Sequence, residues 1–169
     1  MAVRPVLRYP HPTLKSPAEA LDPGPAAAAL AADLVDTMRA SPACVGIAAP
    51  QIGVAARAFS LDVSGHRRAK THHGLIVMFS PVIVERSGRE VMREGCMSIP
   101  DLTANVARAD RIIVEGVTAD GERLFVDATG FEARAFQHEI DHLDGLLFLD
   151  RVASLAADVF RRKRYDLPG

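Results

Sequence analysis

Gln137-His138-Glu139-Ile140-Asp141-His142 sets two histidines four positions apart, with a glutamate directly after the first. In an α-helix, residues i and i+4 share one face a turn apart, so both imidazoles can reach one metal ion while the Glu139 carboxylate stands beside it. The pattern points to metal-assisted hydrolysis. It also predicts a helix: from Gly130 onward Phe131, Arg134, Ala135, Gln137, His138 and His142 fit the helical period, with Thr129 as cap and Asp144-Gly145 as the end. Two imidazoles leave a divalent ion short of a ligand. Cys96, in Glu94-Gly95-Cys96-Met97-Ser98-Ile99-Pro100, is the best candidate for the third, because a thiolate and two imidazoles leave a fourth position open for water. The other use of a free cysteine is as a small buried hydrophobe.

The whole chain is compatible with a metal hydrolase. At 169 residues it fits one domain, spanning residues 1–169, and a compact fold of that size buries roughly 70% of its unfolded surface. Hydrophobic residues make up 49% and charged residues 24%, an ordinary globular balance, while the 5% aromatic share leaves aliphatic side chains to fill the core. A formal net charge of -1 argues against a global DNA-binding or membrane-binding surface. No apolar run near Met1 is long enough for a signal peptide and none elsewhere reaches about 18 residues, so the expected location is the cytoplasm. There Cys44 and Cys96 have little need of a disulfide.

Upstream of the motif, the prolines between Tyr9 and Pro17 predict an extended arm. A helix is expected from Pro25 to Ala40, with Ala27, Leu30, Leu34 and Met38 on one face. Cys44 to Gly53 reads as a tight apolar turn, and Ala58 to Val63 as a strand. The polar stretch Ser64 to Gly74 reads as a solvated loop. Strands are expected at Leu75 to Phe79 and Val82 to Val84, on either side of Ser80-Pro81, and again at Glu90 to Arg93. Ala107 to Val117 and Arg123 to Asp127 should pair as a hairpin about Asp120-Gly121. An amphipathic segment, Val152 to Tyr165, closes with Arg161-Arg162-Lys163-Arg164 and reads as a basic helix.

At Gly46-Ile47-Ala48-Ala49-Pro50-Gln51, at Glu94-Gly95-Cys96-Met97-Ser98 and at the histidine motif, the chain resembles the peptide deformylases, with all three family motifs in order. The resemblance covers about residues 9–151. It implies an α+β fold in which mostly antiparallel sheets wrap around a central helix carrying the two histidines. It also implies removal of the formyl group from N-formylmethionyl nascent peptides in the bacterial cytoplasm. By the same resemblance the metal ligands are Cys96, His138 and His142. The ion is Fe(II), with Zn(II), Ni(II) or Co(II) as substitutes. Glu139 carries the proton, while the Gln51 amide and the Met97 backbone N–H steady the charge on the carbonyl oxygen. Gly46, Ile47, Phe131 and Ala135 line the substrate cleft, and Glu94 pairs with Arg108.

A basic C-terminal helix has a family precedent for docking near the ribosomal exit tunnel. Two positions depart from the family. Cys44 stands where the first motif usually opens with Gly, and Ser80 replaces an Asn common before Pro81. Two other functions share features of this sequence. A zincin-type metallopeptidase also uses His-Glu-x-x-His, but the residues after His142 lack the further histidine of the longer zincin motif. A non-catalytic deformylase-like protein that binds peptides or the ribosome would accommodate Cys44 and the basic C-terminus.

Overall fold

The computed structural model describes residues 2–162. Helix α1 spans Pro25–Ala40, entered through Gly24 with Pro25 at its first position, where a missing N–H costs nothing. Ala27, Leu30, Leu34 and Met38 are all buried, on the face that the spacing predicts. A second buried pair, Asp33 and Thr37, ties down the N-terminal arm: Asp33 accepts from Arg4 Nε at 2.9 Å and Thr37 Oγ1 from the Arg4 backbone N–H at 2.9 Å. The arm continues across the body, with Leu7 N–H bonded to Gln51 O and Tyr9 N–H to Ser98 O.

Strands β1 (Gly46–Ala48), β2 (Ala58–Leu61), β3 (Ile76–Ser87), β6 (Arg111–Val117) and β7 (Arg123–Thr129) form one antiparallel sheet in the order β1-β2-β3-β6-β7. A second antiparallel sheet holds β4 (Glu90–Cys96), β5 (Ile99–Arg108) and β8 (Val159–Arg161), with β5 in the middle. Helix α2, Gly130–Leu143, carries the histidine motif and packs against the inner face of the larger sheet. Phe136 meets Phe59 of β2 edge to face, with centroids 5.7 Å apart. Around them Leu61, Met78, Ile112, Val114, Ile140 and Leu143 close the core. The α+β arrangement expected from the sequence is the one observed, and no helix among the described residues is long and apolar enough to cross a membrane.

Four local expectations give way to the structure. The two strands predicted about Ser80-Pro81 are one strand, β3, that bulges between Phe79 and Val82. The bulge takes Pro81, which has no N–H, out of the ladder, and Ser80 adopts a left-handed φ of 48°, a conformation to which Asn is better suited. The single strand predicted over Ala107 to Val117 is two: β5 ends at Arg108, the chain crosses between sheets at Ala109-Asp110, and β6 begins at Arg111. Gln137 of α2 clamps the crossing, accepting from Ala109 N–H at 3.0 Å and donating to Ala109 O at 2.9 Å. The polar loop is more than solvated, because His66 lies flat on Phe131 with centroids 4.0 Å apart.

Over its described part, residues 152–162, the expected C-terminal amphipathic helix gives way: among these residues only Leu155–Asp158 is helical (α3), and Val159–Arg161 then pairs with Leu102 to Ala104 of β5. The β-forming pair Val159-Phe160 covers a strand edge that would otherwise present unpaired backbone groups. Lys163, Arg164 and Tyr165, which closed the predicted helix, lie outside the described residues.

Because Phe136 is completely buried where α2 meets the sheet, Phe136→Ala should destabilise the protein by about 3–5 kcal/mol. Urea unfolding followed by circular dichroism measures this as a lower midpoint with little change in slope.

Candidate active site

Helix α2 delivers His138 and His142 from successive turns of one face, with ring centroids 5.0 Å apart. Cys96 arrives from the end of β4, where the β4–β5 register shifts between Gly95 and Cys96 and turns the thiol toward α2. Cys96 Sγ lies 3.4 Å from His142 Nε2. One donor atom from each of Cys96, His138 and His142 falls within 4.8 Å of the other two, a triangle that one ion can occupy. Burial opposes ionisation of Cys96, but His142 and His138 beside it outweigh burial and hold the thiol well below its usual range, so the sulfur is a ready ligand. This donor set of one soft thiolate and two imidazoles fits a borderline divalent metal. The spare histidines, His11, His66, His72 and His73, and the second thiol, Cys44, stand outside the triangle.

The orientation of His138 is set by a carboxylate. Its Nδ1 is 2.5 Å from Glu94 Oε1, which turns Nε2 toward the other donors. Glu94 is buried and held from three sides: Arg108 donates to both of its oxygens, at 2.6 and 3.1 Å, and Arg134 donates at 3.1 Å. Burial pushes its carboxyl pKa up, yet His138 and Arg108 more than reverse this and keep it ionised, well below the usual carboxylate range. Arg108 also reaches Asp141 at 2.5 Å, and Arg151 grips the same Asp141 at 2.8 and 3.1 Å. The Glu94–Arg108 pair is therefore a buried core network, whereas its two charges read in isolation fit an ordinary surface pair equally well.

Glu139 is buried beside the triangle, and its Oε2 has no hydrogen-bond partner. Burial raises its carboxyl to about 7 against the lowering effect of His138 and His142, a value suited to taking up and returning a proton near neutrality. Gly46 makes room for it: a Cβ there would stand 2.7 Å from Glu139 Oε1. Gln51 sits in a short 3-10 helix, Ala49–Ile52. Its Oε1 accepts from Ala48 N–H at 2.9 Å, so its amide NH2 points the other way, toward Ser98 Oγ at 3.1 Å and Cys96 Sγ at 3.5 Å. Met97 lines the cleft at the turn between β4 and β5.

These groups open on a cleft of about 1250 Å³. Phe131 and Ala135 line it from the first turns of α2, and Gly46 does so from β1. Ile47 does not. It is fully buried among Ala27, Leu30 and Leu34 of α1, because β1 runs between the two helices and turns Ile47 away from α2; Val45 lines the cleft instead. Cys44 is at the cleft wall, but its thiol donates to Gly46 O at 3.1 Å, and burial together with the Glu139 charge pushes it up to about 12. It is a neutral wall group, not a competing thiolate.

Sequence reasoning missed Ser98, which orients Gln51, and Arg134, which braces Glu94. Arg134 had a usable signal, since it lies four residues before His138 on the same helix face.

Over residues 3–158 the chain matches the family described as polypeptide deformylase. It is 38% identical over 164 residues to a peptide deformylase of Acidobacterium capsulatum, covering 96% of this chain and 94% of that one. To a peptide deformylase of Carboxydothermus hydrogenoformans it is 41% identical over 156 residues, covering 92% and 97%. The crystal structure of peptide deformylase from Thermus thermophilus superposes with a TM-score of 0.80 at 40% identity, covering 89% of this chain and 86% of that chain. A Cys-His-His triangle with a buried glutamate beside it, on a fold shared with these enzymes, places the chain in the polypeptide deformylase family.

Proposed function

We propose that the groups converging on this cleft remove the formyl group from N-formylmethionyl nascent peptides, with Cys96, His138 and His142 as metal ligands and Glu139 as the proton carrier. The chain is a metal-dependent amide hydrolase of the deformylase class, and the observation that carries the residue assignment is the Cys96-His138-His142 triangle beside the unpartnered Glu139 oxygen. A divalent metal held there supplies Lewis acidity toward water and toward the formyl oxygen. Fe(II) is our choice of ion, with Zn(II), Ni(II) and Co(II) suited to the same donors.

Water adds to the formyl carbon and gives a proton to Glu139. As the carbon–nitrogen bond breaks, Glu139 passes that proton to the departing amine, leaving formate and a free methionine N-terminus. Charge that develops on the formyl oxygen meets the Gln51 amide, whose direction Ala48 N–H and Ser98 fix, and the Met97 backbone N–H. Phe131, Ala135 and Val45 give the methionine side chain an apolar wall, and Gly46 offers backbone close to Glu139.

We assign one catalytic domain to residues 1–169 and the bacterial cytoplasm as its location, where formylated chains are made. A ribosome contact through the C-terminus rests on basic charge alone, since Arg161 ends a strand and not a helix. Neither rival function has support. The third donor comes from a strand upstream of the helix, unlike the downstream ligand of a zincin, and the catalytic set that a pure binding protein could lose is complete.

Anaerobically prepared enzyme should release formate from N-formyl-Met dipeptides and leave N-acetyl-Met dipeptides intact. Glu139→Gln should retain metal and lose on the order of 10²–10⁴-fold in kcat. Turnover of both substrates, or an active Glu139→Gln enzyme, would contradict the assignment. Cys96→Ala should purify with greatly reduced metal content, checked by elemental analysis. Glu94→Ala strips the buried Arg108 and Arg134 of their shared partner and frees His138. It should weaken metal affinity by about 10–100-fold in chelator competition and lower stability by roughly 3–5 kcal/mol.

A further inference from the structure

The cleft has a charge pattern that formyl hydrolysis does not use. Its two carboxylates are both committed: Glu94 to Arg108, Arg134 and His138, and Glu139 to the reacting centre. Apart from Arg134, its arginines are not. Arg161, the last residue of β8, and Arg162 after it line the cleft and have no carboxylate partner among the described residues, and the same holds for Arg68, in the loop between β2 and β3. Arg93 lies over the Phe160 ring at 3.7 Å and donates only to neutral oxygens, of Asn105 and Thr103. The Arg162 guanidinium sits directly over Gly95, 2.9 Å from where a Cβ would be, so it stands beside the residue that precedes the ligand Cys96.

Resting on the deformylase reading, we propose that these arginines select among nascent chains, favouring substrates with Asp or Glu at the second and third positions and disfavouring Lys or Arg there. With the formyl group at the Cys96-His138-His142 triangle and the methionine side chain against Phe131 and Ala135, the following residues must leave the cleft past one rim or the other. Guanidinium groups with no carboxylate partner among the described residues line that cleft both from the end of β8 and from the loop between β2 and β3. From the β8 side, Arg162 stands over Gly95, next in sequence to Cys96. β8 therefore does more than cover the edge of β5, since it brings Arg161 and Arg162 to the cleft. Each partly exposed guanidinium–carboxylate contact is modest and screened by salt, so the selection is graded rather than absolute.

Three N-formyl-Met tetrapeptides, continuing with Ala-Ala, Asp-Asp or Lys-Lys at the second and third positions, test this by kcat/KM at low salt and at about 0.5 M salt. At low salt the Asp-Asp peptide should exceed the Lys-Lys peptide by roughly ten-fold, and the ratio should shrink to about two-fold at high salt. Arg161→Ser combined with Arg162→Ser should narrow the low-salt ratio. Equal rates for the three peptides, or a preference for Lys-Lys, would overturn the inference while leaving the deformylase reading intact. If none of the three is turned over, the reaction assignment fails. In that case fluorescence anisotropy of the labelled unformylated Met-Asp-Asp and Met-Lys-Lys peptides decides the inference, with tighter binding of the acidic one supporting it and equal or weaker binding refuting it.

Discussion

The Glu94 carboxylate joins the two halves of this protein. It belongs to β4 of the smaller sheet, yet it bonds His138 and Arg134 of the helix that packs on the larger sheet, and Arg108 of β5 completes its shell. A buried carboxylate is costly unless every lone pair is used. Here His138 and two guanidinium groups share its two oxygens, and the surplus positive charge runs on through Arg108 to Asp141 and from there to Arg151. The network that satisfies Glu94 therefore also sets the distance between β4 and α2. Cys96 is two residues from Glu94 on that strand and His142 is one turn beyond His138 on that helix, so the donor triangle follows from the same constraint.

Other features keep the site open and shaped. Gly46 lets the backbone of β1 approach Glu139 more closely than any side chain permits. Gln137 clamps the crossing between sheets one residue before His138, and Ser98 and Ala48 fix the direction of the Gln51 amide. The proposed hydrolysis of a small formyl amide asks for donors that can hold a metal, a buried carboxyl raised toward neutrality and an aimed amide, beside an apolar wall for one side chain.

Helix α1, helix α2 and the hairpin about Asp120-Gly121 were legible in the sequence because each has a strong local signal: a period, a proline at the first helical position, or a turn dipeptide. The donors were legible too, since metal chemistry restricts residue type so strongly. What stayed hidden depends on partners distant in sequence. Strand β5 includes Pro100, Asp101 and Asn105, poor strand formers in a strand that pairs with β4 on one side and, at Leu102 to Ala104, with β8 on the other. Strand β8 looked helical because nothing local reveals the open edge it covers. The direction of Ile47 depends on which helix flanks each face of β1, and the size of the Glu94 network on arginines 14 and 40 residues away, separations at which no sequence pattern applies.

The proposed chemistry requires one sulfur and two imidazoles to hold one ion. X-ray absorption at the edge of the bound metal, on enzyme prepared without oxygen, reads that shell directly. A single sulfur scatterer at about 2.3 Å together with the outer-shell signature of two imidazoles is the expected spectrum. A shell of nitrogen and oxygen alone, or one with two sulfurs, would contradict it.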